Sequence, residues 1–262
     1  MFTGLVRDIT ARRQAEEETR QLLQEVSSAN EELTNFAYVV SHDLKAPLRG
    51  IGSLADWLAT DYADKFNEEG REHMRLLINR VHRMGALIDG ILQYSRVGRV
   101  KEAACAVDLN RALAEVVDLL APPPGILVTV APGLPSVRGE PTRVQQVFHN
   151  LISNAIKHME RPDGAVRVDC ADAGDYWRFS VADNGPGIDP RHFERIFQLF
   201  QTLAPRDRVE STGVGLALVK KIVEMYRGKV WVESAPGAGA TFLFTWPKAV
   251  QDAAHAKGSR HE

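Results

Sequence analysis

This chain has no run approaching the roughly 18 consecutive apolar residues that a membrane-crossing helix needs, and no basic-then-apolar signal pattern at its start. It is therefore expected to be soluble and cytoplasmic, without a membrane segment. Cysteine is nearly absent. Only Cys105 and Cys170 occur, far apart and without metal-ligand spacing, which argues against a zinc site or a disulfide framework and for a reducing compartment. Neither sign of charge dominates: 32 Lys and Arg stand against 34 Asp and Glu, a formal net charge of −2. Nothing in that balance favours nucleic acid or an anionic membrane as a partner. Within 262 residues, 44% hydrophobic and 25% charged, there is room for two modest domains, each with its own core.

Glycine and proline are missing from Ala15 to Val40, and in that stretch apolar or small residues recur in alternating steps of four and three. Ala15, Thr19, Leu22, Val26, Ala29, Leu33, Phe36 and Val40 form a heptad seam, flanked by Glu16, Glu17, Glu18, Arg20, Glu25, Glu31 and Glu32. The seam predicts a coiled coil that pairs with a second copy of the chain. Upstream, Phe2 to Thr10 is rich in β-formers, and Asp8 and Thr10 offer helix-capping chemistry, so a strand feeding directly into the helix is expected.

Beyond Val40 the apolar positions continue as Leu44, Leu48, Ile51, Ala55 and Leu58 with extra steps of four, which rotates the seam. His42 is two residues from both Val40 and Leu44, about 200° away at 100° per residue, so the imidazole is expected on the exposed face. Pro47 should remove a backbone hydrogen bond and bend the helix just beyond it. After a polar break with Asn67 and Gly70, a second stripe of Met74, Leu77, Val81, Met84, Ile88 and Ile91 completes an antiparallel helical hairpin. Two such hairpins would make a dimeric antiparallel four-helix bundle, two helices per chain.

From about Ala106 the pattern mixes strands with helices. Val107 to Leu109, Ile126 to Ala131, Leu134 to Arg138, Ala165 to Cys170, Tyr176 to Ala182, Lys229 to Glu233 and Ala240 to Trp246 read as strands. Asn110 can cap a helix that carries Leu113, Val116 and Leu120 inward. Pro141 can open a longer helix with Val144, Val147, Phe148, Leu151, Ile152, Ala155 and Ile156 buried, and a third helix spans about Val214 to Tyr226. The expected architecture is a two-layer α/β sandwich, ending in a polar tail after Lys248.

Three patches in this half carry candidate chemistry. Asn150 and Asn154 share a helix face with Lys157 beside them. Asp183 ends a strand and is followed by Asn184, Gly185, Pro186 and Gly187, a carboxylate beside two glycines that allow close approach. Thr212, Gly213, Val214, Gly215 and Leu216 lead into a helix whose N-terminal amides can hold phosphate. Taken singly, each has a bland reading: a solvated amide pair, a turn and a flexible loop.

In this order, however, the patches resemble the histidine kinase family over nearly the whole chain. SHDLKAPLRG (Ser41 to Gly50) is similar to the family's phosphoacceptor box and HNLISNAIKH (His149 to His158) to its N box. DNGPGI (Asp183 to Ile188) and TGVGLAL (Thr212 to Leu218) resemble its two glycine boxes, and FERIFQLF (Phe193 to Phe200) its F box. HDLKAPLR and IFQLFQTL are most similar to phytochrome-like and PAS-linked kinases, and VRDITARRQAEEE resembles the end of a PAS domain. The resemblance implies the end of a PAS-like sensor domain at 1–10, a signalling coiled coil at 11–40 and a dimerisation and histidine phosphotransfer hairpin at 41–98. It further implies a linker at 99–106, a Bergerat-type ATP-binding domain at 107–248 and a tail at 249–262.

By that resemblance the chain is an ATP- and Mg²⁺-dependent protein-histidine kinase of a two-component system. His42 takes the phosphoryl group with Asp43 orienting it, and a response regulator's aspartate receives it. Asp183 accepts from the adenine amino group, and Gly185, Gly187 and Ile188 let the base approach. Asn154 holds Mg²⁺ with Asn150 assisting, and Lys157 sits near the phosphates. Thr212, Gly213, Val214, Gly215 and Leu216 cradle the phosphate chain under a lid at Gln201 to Ser211. The chain departs from the family's common pattern at Ser211, at His158, where an aromatic is usual, and at Ala46, where relatives place a residue that positions water for dephosphorylation. Two rivals are a chaperone- or topoisomerase-type ATPase, which needs a glutamate where Asn150 stands, and a scaffold without catalysis.

Overall fold

The computed structural model describes residues 10–98, 102–203 and 212–248. The expected strand at Phe2 to Thr10 and the polar tail lie outside the described residues, apart from Thr10, which opens a helix. The chain divides into two compact units, Met1–Arg75 and Leu76–Glu262.

Helix α1, Thr10–Asp61, runs for 52 residues and continues across Pro47. It carries the heptad stretch, and in a single chain the seam residues Leu22, Val26 and Phe36 stand exposed. Further along, the least exposed positions differ from the expected stripe. Ser41, Leu48, Gly52 and Ala55 are buried, whereas Val40, Leu44, Ile51 and Leu58 are not. Periodicity weighs apolar character, and Ser41 and Gly52 carry little, although their small size suits a buried position. His42 therefore flanks the buried stripe, about 100° from Ser41, rather than opposing it. Its side chain is still 71% exposed.

Residues 62–67 lead to helix α2, Glu68–Arg96. Asn67 Oδ1 accepts the Gly70 N–H at 2.9 Å, so Asn67 caps the helix and Gly70 lies inside its first turn instead of in the break. Val81 and Ile88 are buried, while Leu77 and Met84 of the expected stripe are exposed.

The second unit adds strand β1 (Cys105–Asp108), helix α3 (Leu109–Leu120), strands β2 (Ile126–Val130) and β3 (Ser136–Gly139) and helix α4 (Pro141–Lys157). Strands β4 (Gly164–Ala173) and β5 (Tyr176–Asp183) follow, then helix α5 (Gly215–Met225) and strands β6 (Val230–Ser234) and β7 (Ala240–Pro247). A five-stranded sheet is ordered β2-β4-β5-β7-β6, with β2 and β4 parallel and the other pairs antiparallel. Strands β1 and β3 form a separate antiparallel pair. In the β4–β5 hairpin Ala173 pairs with Tyr176, so the turn is the two residues Gly174 and Asp175. The cap of α3 differs from expectation. Asp108 caps it by accepting the Asn110 N–H, and the Asn110 amide instead bonds both the N–H and the carbonyl of Leu134.

Helices α4 and α5 pack on one face of the sheet because each buries a continuous stripe: Val144, Val147, Phe148, Leu151, Ile152 and Ala155 on α4, and Ala217, Leu218, Val219, Ile222 and Val223 on α5. Phe148 meets Phe179 and Phe244 edge-on, with centroids 5.6 and 5.3 Å apart. Trp246 stacks on Tyr226 and donates its indole N–H to the Arg138 carbonyl. Val97, just beyond α2, is buried in this same core, which therefore begins upstream of the expected 99–106 linker. Among the described residues no helix is long and apolar enough to cross a membrane.

Replacing Phe148 with alanine removes the ring that joins α4 to β5 and β7. It is expected to cost about 3–5 kcal/mol of stability, measured as a shift in the urea unfolding midpoint.

Candidate active site

Helix α4 supplies one wall of a cavity of about 410 Å³. Its buried stripe faces the sheet, so the opposite spacing of i, i+4 and i+7 turns Asn150, Asn154 and Lys157 to the cavity. Asn150 donates its side-chain amide to the Gln146 carbonyl at 2.7 Å. Its Oδ1 lies 2.8 Å from where a Cβ on Gly215 would sit, so the start of α5 abuts Asn150 without room for a side chain. Among the described residues the Asn154 side chain has no hydrogen bond, which leaves its amide oxygen available to a ligand.

Strand β5 carries Phe179 and Val181 into the core, and period-two alternation places Asp183 on the same face at the cavity end. Asp183 Oδ1 accepts the Gly185 N–H at 2.9 Å and the Ala240 N–H at 3.2 Å, which leaves Oδ2 as the remaining acceptor. Burial pushes this carboxyl above its ordinary pKa, opposed by those two amides and by His158. Gly187 has φ +73°, and a Cβ there would collide with the Ala235 carbonyl. Ile188 follows on the cavity wall, its N–H donated to Ser234 Oγ at 2.8 Å.

The third wall is the start of α5. Val214, its capping residue, gives no side-chain bond to the helix, so the first-turn N–H groups at Gly215 and Leu216 are open to an anion. The Phe200 N–H donates to the Gly213 carbonyl at 2.9 Å, which ties the end of the FERIFQLF segment to this loop. Gly213 has φ +66°, and a Cβ there would lie 2.7 Å from Gln201 backbone atoms.

The structure thus brings Asn150, Asn154, Lys157, Asp183, Gly187, Ile188, Thr212, Gly213, Gly215 and Leu216 onto one cavity. Gly185 and Val214, expected to contact the ligand, do not line it. Gly185 instead donates its N–H to Asp183, and the Val214 side chain is buried, 2% exposed. Sequence reasoning missed Ser153, Glu160, Pro186, Ile196, Ala240 and Phe242 as lining residues; of these Ser153, Pro186 and Ile196 lie inside the HNLISNAIKH, DNGPGI and FERIFQLF segments, and the others carried no signal. His158 also lines the cavity, and burial lowers its pKa. Of the lid, residues 204–211 lie outside the described residues, while Gln201, Thr202 and Leu203 reach the cavity.

His42 and Asp43 belong to the first unit. His42 Nδ1 lies 3.2 Å from Asp43 Oδ1, and both side chains are exposed. Because a carboxylate only accepts, this contact is a hydrogen bond when Nδ1 carries a proton, an arrangement that suits the ring form with Nε2 unprotonated.

Comparison with known proteins agrees with this geometry. Residues 32–99 match the His Kinase A (phospho-acceptor) domain, and residues 139–250 match the ATPase domain shared by histidine kinases, DNA gyrase B and HSP90. The chain belongs to the histidine kinase family. Its relatives include cyanobacterial phytochrome A of Nostoc, 40% identical over 238 residues, a match covering 90% of this chain and 31% of that protein. The methanogenesis regulatory histidine kinase FilI of Methanothrix harundinacea is 36% identical, over 89% of this chain and 26% of its own length. The chain thus spans less than a third of these relatives. Among solved structures, full-length ShkA in complex with AMPPNP aligns with a TM-score of 0.62 and 29% identity, over 82% of this chain and 46% of that one. The chain therefore carries the transmitter region of a sensor histidine kinase, a phosphoacceptor helical segment followed by an ATP-binding α/β domain.

Asp183→Asn keeps the shape of the cavity and removes the charge of its acceptor. It is expected to weaken ADP binding about tenfold or more, as measured by titration calorimetry.

Proposed function

We propose that this chain transfers the γ-phosphoryl group of ATP to His42 and then to an aspartate of a response regulator. The observation that carries this reading is the meeting of Asp183, Asn154 and the open N-terminus of α5 on one cavity, in a chain that also displays His42 with Nδ1 held by Asp43. Asp183 Oδ2 suits the adenine amino group as acceptor. Gly187 leaves room for the base, and the Gly215 and Leu216 amides with Lys157 suit the phosphates.

Among the described residues there is no group of three His, Cys, Asp or Glu able to hold a metal alone. The single free oxygen of Asn154 fits Mg²⁺, which keeps water and phosphate ligands and needs few from protein. When bound, Mg²⁺ neutralises charge on the transferring phosphate. In the transfer, His42 Nε2 forms a bond to the γ-phosphorus while the bond from that phosphorus to the bridging oxygen of ADP breaks. Asp43 keeps the proton on Nδ1 and offsets the positive charge that grows on the ring. The product phosphoramidate is labile enough to pass the group to a carboxylate.

Asn150 supports transfer over hydrolysis. At the position where the ATPase rival needs a glutamate, an amide braced against Gly215 and Gln146 has no basic group to activate water. The exposed Leu22, Val26 and Phe36 support a homodimer through α1, and Ala46 supports weak phosphatase action on the regulator.

With radiolabelled ATP the protein is expected to acquire acid-labile, alkali-stable label. His42→Ala and Asn154→Asp are expected to lower it at least a hundredfold. An unchanged label in His42→Ala would overturn the assignment. Leu22→Asp with Val26→Asp is expected to shift the protein from dimer to monomer in light scattering.

A further inference from the structure

The last turns of α2 are built into the nucleotide domain. Its C-terminal carbonyls, which a helix cannot satisfy by itself, are taken by two cations. Lys221 of α5 donates to the Tyr94 carbonyl at 2.8 Å and sits 4.1 Å above the Tyr94 ring. Arg143 of α4, itself buried, donates to the Arg96 carbonyl at 3.2 Å. One turn earlier is Gly90, in mid-helix, where glycine is less stable than alanine. A Cβ on Gly90 would lie 2.9, 3.0 and 3.1 Å from three atoms of the Val214 side chain. Gly85, five residues before it on the same helix, has nothing within 4 Å of its Cβ position.

Val214 stands between Gly213 and Gly215, the two glycines on the cavity. We infer that Gly90 is a positioning residue for the nucleotide site: the notch it leaves in α2 seats Val214 and so sets where Gly213 and Gly215 present their backbone. The loop has neighbours on both sides: a Cβ on Gly213 would lie 2.7 Å from the Gln201 backbone and one on Gly215 2.8 Å from Asn150 Oδ1, which limits how far a displaced Val214 can carry them. A side chain at position 90 therefore acts on the phosphate end of the cavity without touching nucleotide. The inference rests on reading this cavity as the nucleotide site.

The test is calorimetric titration of Mg-ADP into the whole chain and three variants. Gly85→Ala, in open space, is expected to bind ADP as the parent does. Gly90→Ala is expected to bind about fivefold more weakly or worse, a loss of about 1 kcal/mol, although alanine improves the helix equally at both positions. Gly90→Ala with Val214→Ala removes the two methyl groups at 2.9 and 3.1 Å while the Val214 Cβ stays at 3.0 Å, and is expected to recover part of the affinity that Gly90→Ala loses. A thermal melt of Gly90→Ala at or above the parent's excludes misfolding as the cause. Parent-like binding by Gly90→Ala, or no recovery in the double variant, overturns the inference. A parent chain that binds no Mg-ADP overturns the nucleotide reading itself, and the inference with it.

Discussion

Helix α4 has to meet two environments at once, and the rest of the second unit is arranged around that requirement. Its inner face is an apolar stripe locked to the sheet through Phe148, which touches Phe179 and Phe244. Its outer face carries Asn150, Asn154 and Lys157 into the cavity. Because the two faces belong to one rigid cylinder, the packing that holds Leu151 and Ile152 out of water also fixes where the amide oxygens stand. Asp183 is placed by the same logic on a strand. Val181 and Phe179 anchor alternate positions of β5, and the carboxylate inherits their direction. The polar groups of the cavity need no separate scaffold, since each is the continuation of a core stripe past the edge of the core.

Much of this was legible in the sequence, because helices and strands that bury one face write their period into the chain. The α4 stripe and its proline start, the two-residue β4–β5 turn and six of the seven strands fell within about two residues of their observed bounds, and Asn150, Asn154, Lys157, Asp183 and Thr212 of the cavity were named, whereas Ser153 and Glu160 were not. What periodicity could not weigh was small polar residues. Ser41 and Gly52 are buried on α1, while Ile51 and Leu58 are not. Asp108 and Asn110 are two residues apart and equally able to cap α3, and only the position of Leu134, 24 residues later, decides between them. The lining contributed by Ala240 and Phe242 depends on the β5–β7 register, which pairs Ala240 with Asp183 and is set across a long sequence separation.

The two named residues that do not line the cavity, Gly185 and Val214, share a cause. Both lie inside motifs whose neighbours line the cavity, and a motif reading treats every position of a loop as facing the ligand. A tight loop cannot do that. Where Gly213 and Gly215 turn their backbone to the cavity, the side chain between them is directed elsewhere, and Val214 is 2% exposed in consequence. Likewise Gly185 donates its N–H to the Asp183 carboxylate, so that it orients that group without lining the cavity itself.

Glycine in this chain is therefore better read as a mark of close approach than as one of flexibility. Gly187 and Gly213 need a backbone angle that side chains resist, and both also lack room for a Cβ. Gly215 and Gly90 have ordinary helical angles, so conformational freedom explains neither. The first is crowded by Asn150 and the second by Val214. These contacts run in sequence from α4 through the start of α5 to α2, each limited by van der Waals distance rather than by a hydrogen bond. A series of steric stops of this kind transmits position more faithfully than polar contacts would, because repulsion rises steeply over a few tenths of an ångström whereas hydrogen bonds tolerate wider variation in length and angle. The loop that opens α5 is thus bounded on one side by Asn150 and on the other by α2, and its first-turn amides are left open to the cavity.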